Sequence, residues 1–190
     1  TLALTELWRR KKNPILNVAV LVFGAFYVGY PFYLLTATNL FDSLANLSAM
    51  NENDLFGRIP RVVMLILLVW TNDTFAYLSG RLMGRKKLFE RISPNKTWEG
   101  LIGGVLSITL IAVAMRFLTP LNIWQAAVTG FVTAVAGFMG DAIASGIKRD
   151  IGIKNSGHAI PGHGGYLDRL DGFSAAAAPF FHLIFFFCYN

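Results

Sequence analysis

Five apolar stretches, residues 14–36, 59–80, 101–118, 122–146 and 168–188, occupy most of this chain. A helix needs roughly 20 apolar residues to cross a bilayer core of about 30 Å. The stretches are close to that length, so the chain reads as all-α, a polytopic transmembrane helix bundle of about five spans. Composition agrees with this reading. Hydrophobic residues make up 54% of the 190 and charged residues 15%, against about 25% charged in soluble domains. The single cysteine, Cys188, excludes an internal disulfide and offers no metal-ligand pair.

The charges between the stretches set an orientation. Fourteen of the 17 Lys and Arg fall in residues 1–13, 81–99 and 147–171. Five spans place those three segments on one side, and the positive-inside rule makes that side cytoplasmic. Arg58, Arg61 and Arg116 fall on the other side, near helix ends where an Arg can snorkel. The resulting layout is a basic cytoplasmic lead, residues 1–13, and one membrane domain, residues 14–190, with cytoplasmic loops 81–99 and 147–167. The net charge of +6 thus belongs to a membrane face, and no nucleic-acid partner is expected.

Residues 141–171 stand out against this apolar background. Asp141, Ser145 and Lys148 are spaced i, i+4 and i+7, which puts them on one helix face. Arg149 follows as that helix ends. Pro161, Gly162, Gly164 and Gly165 favour a tight turn with exposed N–H groups, an arrangement that can cradle an anion. Asp168 and Asp171 are spaced i, i+3 at the start of the next helix. Three carboxylates, Asp141, Asp168 and Asp171, can meet where two helix ends approach, and that oxygen set suits a hard cation such as Mg²⁺. Lys148, Arg149, Lys154 and Arg169 suit phosphates. The competing reading is a solvated loop that merely ends a membrane helix.

Two acids lie inside spans. Asp141 is seven residues before Lys148, about 10 Å along a helix. Asp73 is eight residues before Arg81, at a similar depth. An ionisable group there costs roughly 2.5–3.5 kcal/mol on insertion scales, and function is the default explanation. The competing reading is a structural ion pair with a neighbouring Arg. In the basic 81–99 loop, Lys96 is expected to reach a phosphate, Ser93 and Thr97 can cap a helix, and Trp98 reads equally as an interfacial anchor or a ligand contact. The loop's cations suit anionic lipid headgroups, at about 1 kcal/mol each, but Arg85, Lys86 and Lys87 read rather as nonspecific charge. His182 reads as a satisfied packing residue and His158 as solvated loop. Gly130, Ala134, Gly137 and Gly140 suggest close helix packing, with a homodimer face as one use.

These residues resemble a known family. Ser145, Lys148-Arg149, Lys154, His163-Gly164-Gly165 and Asp168-Arg169-Leu170-Asp171 are similar to the signature of CDP-diacylglycerol synthase, also called phosphatidate cytidylyltransferase. Asn72-Asp73-Thr74 and Ile92-Ser93-Pro94-Asn95-Lys96-Thr97-Trp98-Glu99-Gly100 resemble further family segments in the same order. The likeness runs from about residue 70 to 182. Asn155 stands where the family usually carries Asp, and Tyr166 where an aliphatic residue or Phe is usual. Family members have additional N-terminal helices, which this chain is expected to lack.

The resemblance implies that phosphatidate and CTP give CDP-diacylglycerol and pyrophosphate, with Mg²⁺ required, in phospholipid biosynthesis. Asp141, Asp168 and Asp171 would hold the metal. Lys148, Arg149, Lys154 and Arg169 would hold phosphates together with Lys96. Ser145 and the turn at His163, Gly164 and Gly165 would contact the nucleotide. The enzyme would sit in the bacterial cell membrane with its site facing the cytoplasm, because CTP is in water and phosphatidate in the leaflet. Two other classes compete with this one. CDP-alcohol phosphatidyltransferases need an Arg after their Asp-Gly, whereas Asp171-Gly172 is followed by Phe-Ser-Ala-Ala. A transporter or channel would place its acids near the midplane.

Overall fold

The structure, a computed structural model, describes residues 14–48, 61–119, 121–153, 156 and 167–189. Helix α1 spans Pro14–Ser48, and α2 spans Arg61–Met83. A two-stranded antiparallel hairpin follows, β1 at Lys87–Phe89 and β2 at Ser93–Thr97. Helix α3, Trp98–Ala114, continues into a 3₁₀ turn at Met115–Leu118. Helix α4 spans Ile123–Asp150, and α5 spans Leu167–Tyr189.

The all-α membrane bundle stands, with the small hairpin as its non-helical part. Helices α2, α4 and α5 are long and apolar enough to cross a membrane. Apolar helix in α1 runs over Val22–Ala37, and α3 is the other shorter one. Helix α3 alone is about 25 Å long, and its 3₁₀ turn adds roughly 8 Å. Three boundaries differ from expectation. Helix α1 continues through Ser48, so the polar stretch after residue 36 begins as helix. Helix α4 continues to Asp150, so the loop starts later than residue 147. The 81–99 segment is largely built structure, a hairpin between two helix ends.

The end of α4 has a local cause. Gly152 adopts φ +76°, a left-handed conformation that costs a residue without Cβ little. Its N–H donates to the Arg149 carbonyl, and the Ile153 N–H donates to Lys148. These two bonds form a Schellman motif and satisfy the last carbonyls. Lys148 and Arg149 place positive charge at the negative end of the helix. At the other end, Asn122 and Gln125 form a reciprocal capping box.

Packing relies on small residues, as expected where lipid removes the hydrophobic drive between helices. Helix α4 lies against α3 and α5, α2 against α3, and α1 against α5. A Cβ on Gly100 would sit 2.8 Å from the Ala76 carbonyl oxygen, which shows how closely α2 and α3 approach. A Cβ on Gly140 would collide with Ala175 of α5. Gly130 faces Ala112, and Gly137 faces Gly172 and Ala176. The stripe considered as a dimer face is therefore consumed inside this chain, and a homodimer would need another surface. Leu65, Leu68, Ile108, Phe180, Phe181 and Ile184 fill the core. Trp124, Leu110 and Phe26 are exposed, where lipid would surround them.

Candidate active site

The hairpin is anchored before it contributes anything to the site. Thr97 caps α3, its Oγ1 accepting from the Gly100 N–H at 3.1 Å. The Trp98 N–H donates to the Lys86 carbonyl at 3.0 Å. Both Glu99 carboxylate oxygens accept from the Lys86 N–H, each at 3.3 Å. The backbone N–H of Glu99 itself holds this carboxyl below its ordinary value, burial opposes the shift, and the Arg85 and Lys86 amides and the Lys86 charge add to it. Ser93, expected as a cap, lies in β2 instead.

Strand β2 delivers Lys96 to α4. Its Nζ lies 2.6 Å from Asp141 Oδ2 and 4.6 Å from the Phe138 ring centroid. That nitrogen is shielded from solvent, and its contact with Asp141 is an ion pair rather than a directed hydrogen bond. Ser145 Oγ donates to the other Asp141 oxygen at 3.4 Å. Asp141 thus receives a lysine from the hairpin and a hydroxyl from its own helix.

A second pair joins α4 to α5. Lys148 Nζ donates to Asp171 Oδ2 at 2.8 Å, and Asp171 is buried. The Tyr27 hydroxyl of α1 donates to the Asp171 carbonyl at 3.1 Å. Arg149 holds main chain: its Nε donates to the Ile92 carbonyl and an Nη to that of Ile153, both at 3.3 Å. It ties the hairpin turn to the end of α4.

Two cavities meet at Asp73 and Asp141. One, about 840 Å³, is lined mainly by apolar residues of α1, α2 and α5, including Phe32, Val62, Trp70 and Phe173. The other, about 230 Å³, is lined by Asn72, Asn95, Lys96, Thr97 and Phe138 among others. Asp73 and Asp141 border both. The sequence marked Asp73 by its depth but left it out of the carboxylate set. The signal that could have included it was there, since it lies as far from its basic helix end as Asp141 does. Nothing in the sequence singled out Tyr27.

Among the described residues, no group of three or more His, Cys, Asp and Glu is gathered for a metal. Asp168 and Arg169 lie in the first turn of α5 by backbone, with side chains outside the described residues. Lys154, His163, Gly164 and Gly165 lie outside them altogether. So do His158, Asn155 and the Pro161-Gly162 turn. His182 is satisfied, with Nδ1 on the Ala178 carbonyl at 2.7 Å and Nε2 against the Tyr30 hydroxyl at 2.9 Å. In chemical terms the site offers oxygen donors, Asp73 and Asp141 with the Asn72 amide on the same cavity wall. That donor type fits a hard divalent cation such as Mg²⁺.

The sequence model of a cytidylyltransferase family matches residues 1–188. The "Uncharacterized protein YnbB" of Escherichia coli is 38% identical over 188 residues, 93% of this chain and 63% of that protein. The "Phosphatidate cytidylyltransferase" of Staphylococcus haemolyticus is 46% identical over 114 residues, 59% of this chain and 44% of that protein. Its namesake in Staphylococcus aureus is 43% identical over the same shares. The matches thus cover 44–63% of the length of these curated relatives.

Proposed function

The chain belongs to the cytidylyltransferase family, and we propose that it makes CDP-diacylglycerol and pyrophosphate from CTP and phosphatidate. The observation that carries this reading is the junction of two unlike cavities at Asp73 and Asp141. The larger is bordered mainly by apolar side chains and suits acyl chains, and the smaller has Asn72, Asn95, Lys96 and Thr97 on its wall, whose polar groups suit phosphates. Two relatives are named for this activity. The proposed setting is the bacterial cell membrane, with the site facing the cytoplasm.

A phosphate oxygen of phosphatidate attacks the α-phosphorus of CTP. A new P–O bond forms, the bond from that phosphorus to the α–β bridging oxygen breaks, and pyrophosphate leaves with its electron pair. The attacking oxygen is already anionic, so no side-chain nucleophile is needed. The work left to the protein is positioning and charge neutralisation. Lys96 and Lys148 are set beside carboxylates that hold their ammonium groups in place. Ser145 orients Asp141. Asp73 and Asp141, with Asp168 and Asp171 at the start of α5, would hold Mg²⁺. When bound, the ion would neutralise triphosphate charge and favour departure of pyrophosphate.

The test is transfer of radiolabelled cytidine from CTP into lipid by the protein in phosphatidate-containing vesicles. Incorporation that requires both CTP and phosphatidate supports the reading. Solute flux without CTP consumption would replace it with the transporter reading.

A further inference from the structure

The hairpin and the end of α2 carry a charged surface that the candidate active site does not use. Arg85, Lys86, Lys87 and Arg91 are all exposed. Glu90 and Glu99 are the acids within this segment, and the Glu99 carboxylate is already engaged by the Lys86 amide. The cations are borne on a built element. Strand β1 pairs with β2, Lys87 opposite Thr97 and Phe89 opposite Ser93. The Trp98 amide on the Lys86 carbonyl and the Arg149 side chain on Ile92 hold it further. Close to the cations in the chain are large apolar side chains that nothing among the described residues covers: Leu82 is 79% exposed, Met83 69% and Trp98 51%.

We propose that this hairpin face docks on the anionic headgroups of the bilayer that the helices span, with Leu82, Met83 and Trp98 seated at the headgroup boundary. Charge complementarity chooses the occupant. Four exposed cations on the hairpin and its short link from α2 fit a negatively charged leaflet. The neighbouring apolar side chains fit its hydrocarbon edge, which a free phosphate would leave exposed to water. The hairpin also joins two membrane helices, so the surface it meets is that of its own bilayer. This contact is separate from substrate binding. Its cations are not the Lys96 and Lys148 that pair with the site carboxylates.

The test uses the intact protein with Cys188→Ser and Glu90→Cys, labelled at residue 90 with an environment-sensitive fluorophore. It is reconstituted into nanodiscs of phosphatidylcholine with rising fractions of phosphatidylglycerol. The expected result is a blue shift that grows with phosphatidylglycerol. It should vanish near 1 M salt, where the screening length falls to about 3 Å. Neutralising Arg85, Lys86, Lys87 and Arg91 to Gln should abolish the dependence, and Arg85→Lys with Arg91→Lys should retain it. On the labelled protein with all four cations in place, the salt titration reads the same effect. Each cation removed should weaken the response about fivefold. Equal spectra in neutral and anionic discs would overturn the proposal. So would the same shift produced in neutral discs by inorganic phosphate, because the site would then be one for a soluble anion.

Discussion

Lys148 of α4 and Asp171 of α5 form an ion pair at 2.8 Å in which the Asp side chain is only 4% exposed and the Lys 15%. It joins two helix ends whose connecting chain includes Pro161 and Gly162. Breaking such a pair from one side leaves a buried charge without compensation. Asp171→Asn should therefore lower stability by about 3 kcal/mol, read from denaturant unfolding in detergent. Replacing both residues with apolar side chains of similar size should recover much of that stability and none of the cytidylyl transfer. Recovery of transfer as well would make the pair purely structural.

Lys96 and Asp141 are expected to act as a unit, because one partner's role is to position the other. Lys96→Met and Asp141→Asn should each slow cytidylyl transfer by at least tenfold, a barrier increase of about 1.4 kcal/mol. The double variant should lose less than the product of the two single losses. Steady-state rates for the three variants decide this. Fully multiplicative effects would mean that the two residues work separately.

Asp73→Asn should also lose at least about tenfold in rate. Part of the loss should return as Mg²⁺ is raised, because the substitution keeps the shape and removes a metal-binding charge. Asp42→Asn, in the segment expected on the far side of the membrane, should change nothing. A Mg²⁺ titration of the Asp73 variant that stays flat would remove Asp73 from the proposed ligand set.

Gly100→Ala should force α2 and α3 apart, because the new Cβ would lie 2.8 Å from the Ala76 carbonyl oxygen, a main-chain atom with little freedom to yield. The expected cost is about 1–3 kcal/mol. Gly24→Ala, whose Cβ would meet nothing within 4 Å, should be neutral or slightly stabilising. Thermal unfolding of the two variants side by side makes the comparison.

The Glu99 clamp should respond to pH with a definite sign. Its carboxyl is held below the ordinary value of 4.5 by backbone N–H groups. The clamp's contribution is therefore fully present above that value. It is lost as the pH falls through the lower value of the folded state. The Lys86 amide proton shift should move toward its unbonded position over that acid range. Glu99→Gln should flatten the titration.

Much of this architecture is legible in the residues alone, because apolar length and charge sign are local properties. A stretch such as residues 122–146 has few alternatives to a membrane helix, since its backbone must satisfy itself in hydrocarbon. The depth of Asp73 and Asp141 and the cap at Thr97 could likewise be read by counting. The partners could not. Asp141 and Lys148 share a helix face, yet Asp141 pairs with Lys96 from the hairpin and Lys148 with Asp171 from α5. Nor could the sequence show that Gly130, Gly137 and Gly140 face α3 and α5 rather than a second copy. It gave no sign that a cluster of basic residues folds into a hairpin held by Glu99. The physical reason is range. Helix formation is decided within a few turns by side-chain polarity and the solvent. Which carboxylate meets which ammonium depends on the rotation and spacing of whole helices, and close contacts such as Gly100 on Ala76 set those only once every helix is in place.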